Sequence, residues 1–75
     1  MEPYQGANSG SGVASYEIGP DFIRVRFHEG GTYLYSYETA GEIHVTRMRK
    51  LARAGKGLTT YISKYVRDAY VLKGP

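Results

Sequence analysis

A chain of 75 residues with no cysteine is long enough for one domain, and it excludes disulfides and thiolate metal sites. We expect no membrane span and no signal peptide, and the lack of cysteine agrees with a cytoplasmic location. The charge is uneven, because residues 1–38 hold two arginines against five acids and residues 39–75 hold eight lysines and arginines against two acids. The resulting net charges of −3 and +6 place the positive charge in the second half, which suits a polyanionic partner.

The first part of the chain predicts an arm followed by a strand. Residues 1–12 are rich in glycine, serine and asparagine, so we expect a disordered N-terminal arm in which only Tyr4 has a side chain suited to docking. We expect a single domain over residues 13–72 and a frayed tail over residues 73–75. Apolar and polar side chains alternate over residues 13–19, which predicts a first strand that ends at a turn with Pro20.

Residues 22–37 have the pattern of a β-hairpin around two glycines, and two registers are open. A two-residue turn pairs Phe27 with Thr32 and turns the tyrosines of the second strand outwards. A three-residue loop, with Gly30 as a bulge, pairs Val25 with Tyr33 and places the tyrosines in the core. We favour the second register because Gly30 stands where the bulge needs glycine and a small domain needs the aromatic area.

After Thr39 the apolar period changes to that of a helix. Thr39 and Glu42 match a capping box, so we expect a first helix over residues 40–54 that ends at Gly55. Its buried face is expected to carry Ile43, His44, Met48, Leu51 and Ala54. Its outer or flanking side is expected to carry Arg49, Lys50 and Arg53.

A second helix is expected from Leu58 or Thr59 to about Tyr70. Its apolar stripe would consist of Leu58, Tyr61, Ile62, Tyr65 and Val66. The predicted fold class is therefore α+β, with an antiparallel three-stranded β-meander followed by two α-helices packed on one face.

The motifs V-x-F, a glycine turn, Y-x-Y and L-A-x-x-G-x-G-L-x-x-x-I follow one another within residues 13–70. They are formed by Val25, Phe27, Gly30, Tyr33, Tyr35, Leu51, Ala52, Gly55, Gly57, Leu58, Ile62 and Tyr70. This order resembles the KTSC family, a small domain named for the C-terminus of some lysyl-tRNA synthetases. The resemblance implies a KTSC-like module, stand-alone or appended, with an association with RNA.

No residue pattern indicates catalysis, a metal or another cofactor. His28 and His44 are the only histidines, they lack the spacing of metal ligands, and no nucleophile motif such as G-x-S-x-G occurs. We therefore expect a non-enzymatic module that uses no cofactor and no metal.

The candidate binding site is the basic helical half and the glycine link before the second helix. Free N–H groups at a helix N-terminus attract anions, although glycine and threonine there are also ordinary caps. The predicted nucleic-acid or anion contacts are Arg49, Lys50, Arg53, Lys56, Gly57, Thr59 and Lys64. In the two-residue turn register, Tyr33 and Tyr35 would add a stacking platform. RNA or tRNA is the expected partner, and the alternative is a protein–protein interaction module, including a small homodimer.

Overall fold

The computed structural model of the chain describes residues 1–5 and 12–74, without the side chain of Leu72. In these ranges five antiparallel strands form one sheet, in which their order follows the chain. The strands are β1 (Glu2–Pro3), β2 (Val13–Ile18), β3 (Phe22–Phe27), β4 (Thr32–Ser36) and β5 (Leu72–Gly74). Between β4 and β5 lie α1 (Glu42–Ala54), α2 (Leu58–Tyr61) and a π-helical segment (Ile62–Val66) that continues α2. The α+β fold class is confirmed, with β2–β4 as the meander and both helices packed on it.

The hairpin has the bulged register. Val25 lies opposite Tyr33, and the N–H of Phe27 donates to the carbonyl of Gly31 at 3.0 Å. Gly30 has φ of 97°, a left-handed conformation that glycine adopts at little cost. The prediction of a three-residue loop is confirmed.

The core lies between the sheet and the helices. Its largest fully buried side chains are Tyr35, Ile23, Met48, Leu58, Val13, Val25, Val45 and Val66. Both strands of the hairpin and both helices contribute to this set. Full burial of one such aliphatic side chain contributes about 1.5–3 kcal/mol, so the hairpin and the helices stabilise each other.

Helix α1 begins later than the capping box predicts. Its N-cap is Gly41, with φ of 92° and no side-chain cap. Thr39 instead exchanges hydrogen bonds of 3.3 Å with Ser36, inside the turn that follows β4. The predicted role of Thr39 as N-cap is wrong because this turn uses its hydroxyl. The predicted end is confirmed, since Gly55 is left-handed and its N–H donates to carbonyls of the last turn.

The buried face of α1 is rotated by about one residue from the predicted one. Val45, Met48 and Ala52 are buried, whereas Ile43 is 69% exposed. The predicted core position of Ile43 is therefore wrong. The sequence predicted the wrong face because Arg49 lies on the inner flank of the helix. A charged residue at that position interrupts the apolar pattern of the face that is buried.

Helix α2 is shorter than predicted. Leu58, Ile62 and Val66 are buried as expected, but Tyr65 is 59% exposed and the helical segment ends at Val66 rather than near Tyr70. The buried residues recur every four positions. An α-helix has about 3.6 residues per turn, so side chains four positions apart move gradually around its axis. The wider turn of the π-helix offsets this movement and keeps the three side chains against the sheet.

Both ends of the described chain join the sheet. Glu2 pairs with Tyr16 of β2, and Tyr4 is only 2% exposed. The predicted disorder is thus wrong for residues 1–5, and the rest of the predicted arm up to residue 11 lies outside the described residues. Residues 73 and 74 of the predicted frayed tail pair with β4, and residue 75 lies outside the described part.

Candidate nucleic-acid interface

The outward side of α1 is a positively charged surface. Ile43, Arg47 and Lys50 are exposed and recur at intervals of four and three residues, so they follow one line along the helix. They line a shallow open depression together with His44 and Glu42. The only acid of α1 is Glu42 at its first residue, where a negative charge complements the helix dipole. The remainder of the outward side is therefore positive.

Among residues 1–5 and 12–74, no cation of the helical half forms an ion pair. In the part of the chain that the structure describes, the one ion pair joins Arg24 to Glu17 at 2.6 Å, on neighbouring strands of the sheet. Lys50 lies three residues after Arg47 and three residues before Arg53, and like charges at this spacing repel by about 0.2–0.5 kcal/mol. A bound polyanion would attract each of these cations and so offset their mutual repulsion.

Arg49 does not belong to this surface. Its guanidinium donates to the hydroxyl of Tyr37 at 2.5 Å and to the carbonyl of Pro20 at 3.2 Å. The guanidinium carbon also lies 5.2 Å from the centre of the Tyr37 ring, within the range of a cation–π contact. The expectation that Arg49 faces solvent is wrong, because it joins α1 to the turn between β2 and β3.

Arg53 lies on a different flank of α1, beside the first two strands. It shares an open depression with Glu2 and Tyr16. Burial raises the pKa of Tyr16, as does the hydrogen bond of 3.0 Å that its hydroxyl donates to the Glu2 carboxylate, whereas the charge of Arg53 lowers it. Arg53 thus shares a depression with an acidic side chain, as Arg47 and Lys50 do with Glu42 at the start of α1.

The glycine link offers less than the sequence predicts. Lys56 and Gly57 are exposed, but the N–H of Leu58 donates to the hydroxyl of Tyr4 at 3.2 Å. One backbone donor of the predicted anion site is thereby occupied. Thr59 lies against Gly12 and already has an interaction partner. The glycine link therefore offers an anion the Lys56 side chain, but not the full set of free backbone N–H groups that the sequence predicts.

The predicted stacking platform on the sheet does not form. It required the two-residue turn, and in the observed register Tyr35 is 1% exposed. Burial raises the pKa of Tyr35 to about 12, with smaller contributions from the neighbouring Tyr33 and Tyr70. Tyr33 is half-buried, and the rings of Phe27 and Tyr70 stand edge-on to it at 5.3 and 4.9 Å.

A second aromatic group, which sequence reasoning placed in the core, lies at the edge of the core: His44 and Tyr61 are half-buried and Tyr65 is exposed. His44 Nδ1 and the hydroxyl of Tyr61 are 2.6 Å apart and hydrogen-bonded. The His44 ring also stacks on Tyr65, with centroids 5.8 Å apart and planes inclined by 25°. Lys64, a predicted contact, is exposed next to Tyr65 in the chain. The available signal was Tyr61 and Tyr65 at helical spacing, but spacing alone does not separate a buried from an exposed pair.

Within residues 1–5 and 12–74, no group of three or more histidines, aspartates and glutamates is placed to hold a metal ion. In the same ranges no helix has both the length and the apolar character needed to cross a bilayer. Comparisons with family models, with curated proteins and with solved structures found no match. The resemblance to the KTSC family stays a prediction.

Proposed function

We propose that the protein is a small non-enzymatic, cytoplasmic module that binds RNA or another polyanion through the outward side of α1. The main support is that no carboxylate of the described chain pairs with the cations of the helical half. A surface that uses charge only for solubility usually intersperses both signs. Here one side of a helix holds cations that repel each other, which suits a partner that brings the negative charge.

Arg47 and Lys50 would supply the central phosphate contacts. The guanidinium of Arg47 can donate two parallel hydrogen bonds to one phosphate, whereas Lys50 acts as a compact charge. Lys56 and Lys64, both exposed, extend the positive field along the link and the second helix. Contacts of this kind are salt-sensitive and carry little sequence specificity.

RNA, including tRNA, is the proposed partner class because the predicted KTSC resemblance points the same way. A second candidate function, a protein–protein interaction module, is favoured by Ile43, which is 69% exposed at the N-terminal end of the same surface. An apolar side chain this exposed can be covered by a protein partner. The two functions differ in their dependence on salt.

Fluorescence anisotropy with a labelled single-stranded RNA tests the proposal. The logarithm of the association constant is plotted against the logarithm of salt concentration from about 50 to 200 mM. The double variant Arg47→Gln/Lys50→Gln removes two cations from α1. The double variant Arg26→Gln/Lys73→Gln removes two exposed cations from the sheet, neither of which forms an ion pair in the described chain, and is the matched control.

Each phosphate contact adds about 0.7 to the salt slope on a single strand, so the α1 variant should lower the slope by about 1.4. The sheet variant should leave the slope near that of the parent. Equal effects of both variants would show that only net charge matters and would contradict a site on α1. If the parent shows no binding at low salt, the second candidate takes its place.

A further inference from the structure

An exposed tyrosine ring borders the proposed phosphate contacts. Tyr65 is 59% exposed, although its ring is in contact with two others. Its centroid lies 4.7 Å from that of Tyr61 and 5.8 Å from that of His44. We call Tyr65 with these two supporting rings the aromatic platform. Most of the Tyr65 side chain remains available to a ligand.

The supporting rings hold Tyr65 in place. His44 and Tyr61 are both half-buried, and the hydrogen bond of 2.6 Å between them joins the first turn of α1 to the end of α2. Tyr65 lies one turn further along, in the π-helical segment that continues α2, and its ring packs against this pair. A ring that is already positioned loses little freedom when a second ring stacks on it.

The aromatic platform is continuous with the positive surface. His44 lines the same depression as Arg47 and Lys50, and it also stacks on Tyr65. Lys64, which precedes Tyr65, is exposed as well. Rings for the bases and cations for the phosphates are the two features that binding of single strands requires.

We propose that Tyr65, supported by His44 and Tyr61, stacks on an unpaired base of a single-stranded nucleic acid whose phosphates contact Arg47 and Lys50. The inference rests on the proposed function and adds the form of the ligand. A duplex keeps its base faces inside the stack, so only a single strand, a loop or an end can present one to Tyr65.

The experiment compares two labelled probes of equal length, a single-stranded oligonucleotide and an abasic strand with the same number of phosphates. Both are titrated into the parent chain and into Tyr65→Ala, Tyr65→Phe and Tyr65→Leu. Tyr65→Phe keeps the ring, whereas Tyr65→Leu keeps an apolar side chain without one. Because Tyr65 is mostly exposed, thermal melts of the three variants should remain close to the parent, and Tyr65→Leu serves if the alanine variant does not fold.

We expect Tyr65→Ala and Tyr65→Leu to bind the oligonucleotide about 5- to 150-fold more weakly, the range for loss of one base–aromatic stack. Tyr65→Phe should bind as the parent does, and no variant should change the affinity for the abasic strand or the salt slope. Equal affinity of parent and Tyr65→Ala for the oligonucleotide would overturn the stacking role, as would equal losses on both probes. Both results concern the role of Tyr65 and leave polyanion binding itself standing, whereas a parent that binds neither probe overturns the proposed function.

Discussion

The hydroxyl of Tyr4 accepts a buried hydrogen bond of 3.2 Å from the N–H of Leu58, across 54 positions of the chain. The N-cap of α2 is Gly57, which has no side chain to satisfy this N–H. Tyr4 therefore acts in place of an N-cap side chain for α2, although it lies near the opposite end of the sequence. The contact also fixes the link between the two helices against the edge of the sheet.

Replacement of Tyr4 by phenylalanine should lower the free energy of unfolding by about 1–3 kcal/mol, because it leaves a buried N–H without its acceptor. Urea unfolding measures the change. Tyr16→Phe is the matched control, since it also removes a hydroxyl but frees the carboxylate of Glu2, which is exposed and can be hydrated. Its cost should be smaller. Equal costs for the two variants would show that the Tyr4 contact does not cap the helix.

Two arginines on one helix should have separate roles. Arg49→Gln breaks the contacts with Tyr37 and Pro20, so it should lower the free energy of unfolding by about 1–3 kcal/mol. Arg47→Gln should leave stability nearly unchanged, because Arg47 is exposed. In RNA titrations the order reverses, and only Arg47→Gln should reduce the salt slope, by about 0.7. A slope that falls equally in both variants would place Arg49 in the interface.

Gly19 is required by the ring of Phe22. A methyl group added to Gly19 would lie 2.0 Å from Cε2 of Phe22, so the ring would have to move. We expect Gly19→Ala to cost about 1–3 kcal/mol of unfolding free energy, as overpacking does elsewhere. In the background of Phe22→Ala the same change should cost little, and a double-mutant cycle from urea unfolding measures the difference. A coupling energy near zero would mean that the glycine is needed for another reason.

The features that were predictable from the sequence are those decided by neighbouring residues. Gly30, the glycine of the bulge, determines the register of the hairpin. Gly55 ends α1 through hydrogen bonds to carbonyl groups in the last turn of the same helix. The inward position of Arg49 was not predictable, because its partners Tyr37 and Pro20 belong to other elements. Tyr4 was identified as the residue of the arm suited to docking, but its hydrogen-bond partner was not predictable for the same reason, since that partner lies 54 positions away.

The candidate site was likewise predictable only in those features that do not depend on contacts between distant parts of the chain. Composition located the positive charge in the helical half, and Lys50 is exposed as predicted. The orientation of α1 then decides which cations share a surface, and a rotation of one residue exchanges Arg49 for Arg47. The same rotation of α1 leaves Ile43 exposed to solvent. Tyr65 was assigned to the core because it recurs at helical spacing, and only the packing of the second helix on the sheet shows that it is exposed.

Tyr35 is buried beneath the helices, and this gives stability a dependence on pH. Burial disfavours the charged phenolate, which raises the pKa of Tyr35 from 10.0 to about 12. In the unfolded chain the same hydroxyl ionises near pH 10. The neutral form is therefore favoured by folding, and the associated stabilisation is complete below pH 10 and lost as the pH rises towards 12.

Urea unfolding at several pH values between 9 and 12 should show this loss. Tyr35 alone should contribute a decline of about 1.4 kcal/mol per pH unit above 10, up to about 2–3 kcal/mol in total. Other tyrosines and the lysines also titrate in this range, so the comparison is with Tyr35→Phe, which keeps the ring and removes the ionisable group. The variant should lose less stability than the parent over the same interval. Parallel curves for the two proteins would mean that Tyr35 ionises as readily in the folded chain as in the unfolded one, and that its ring is open to water at high pH.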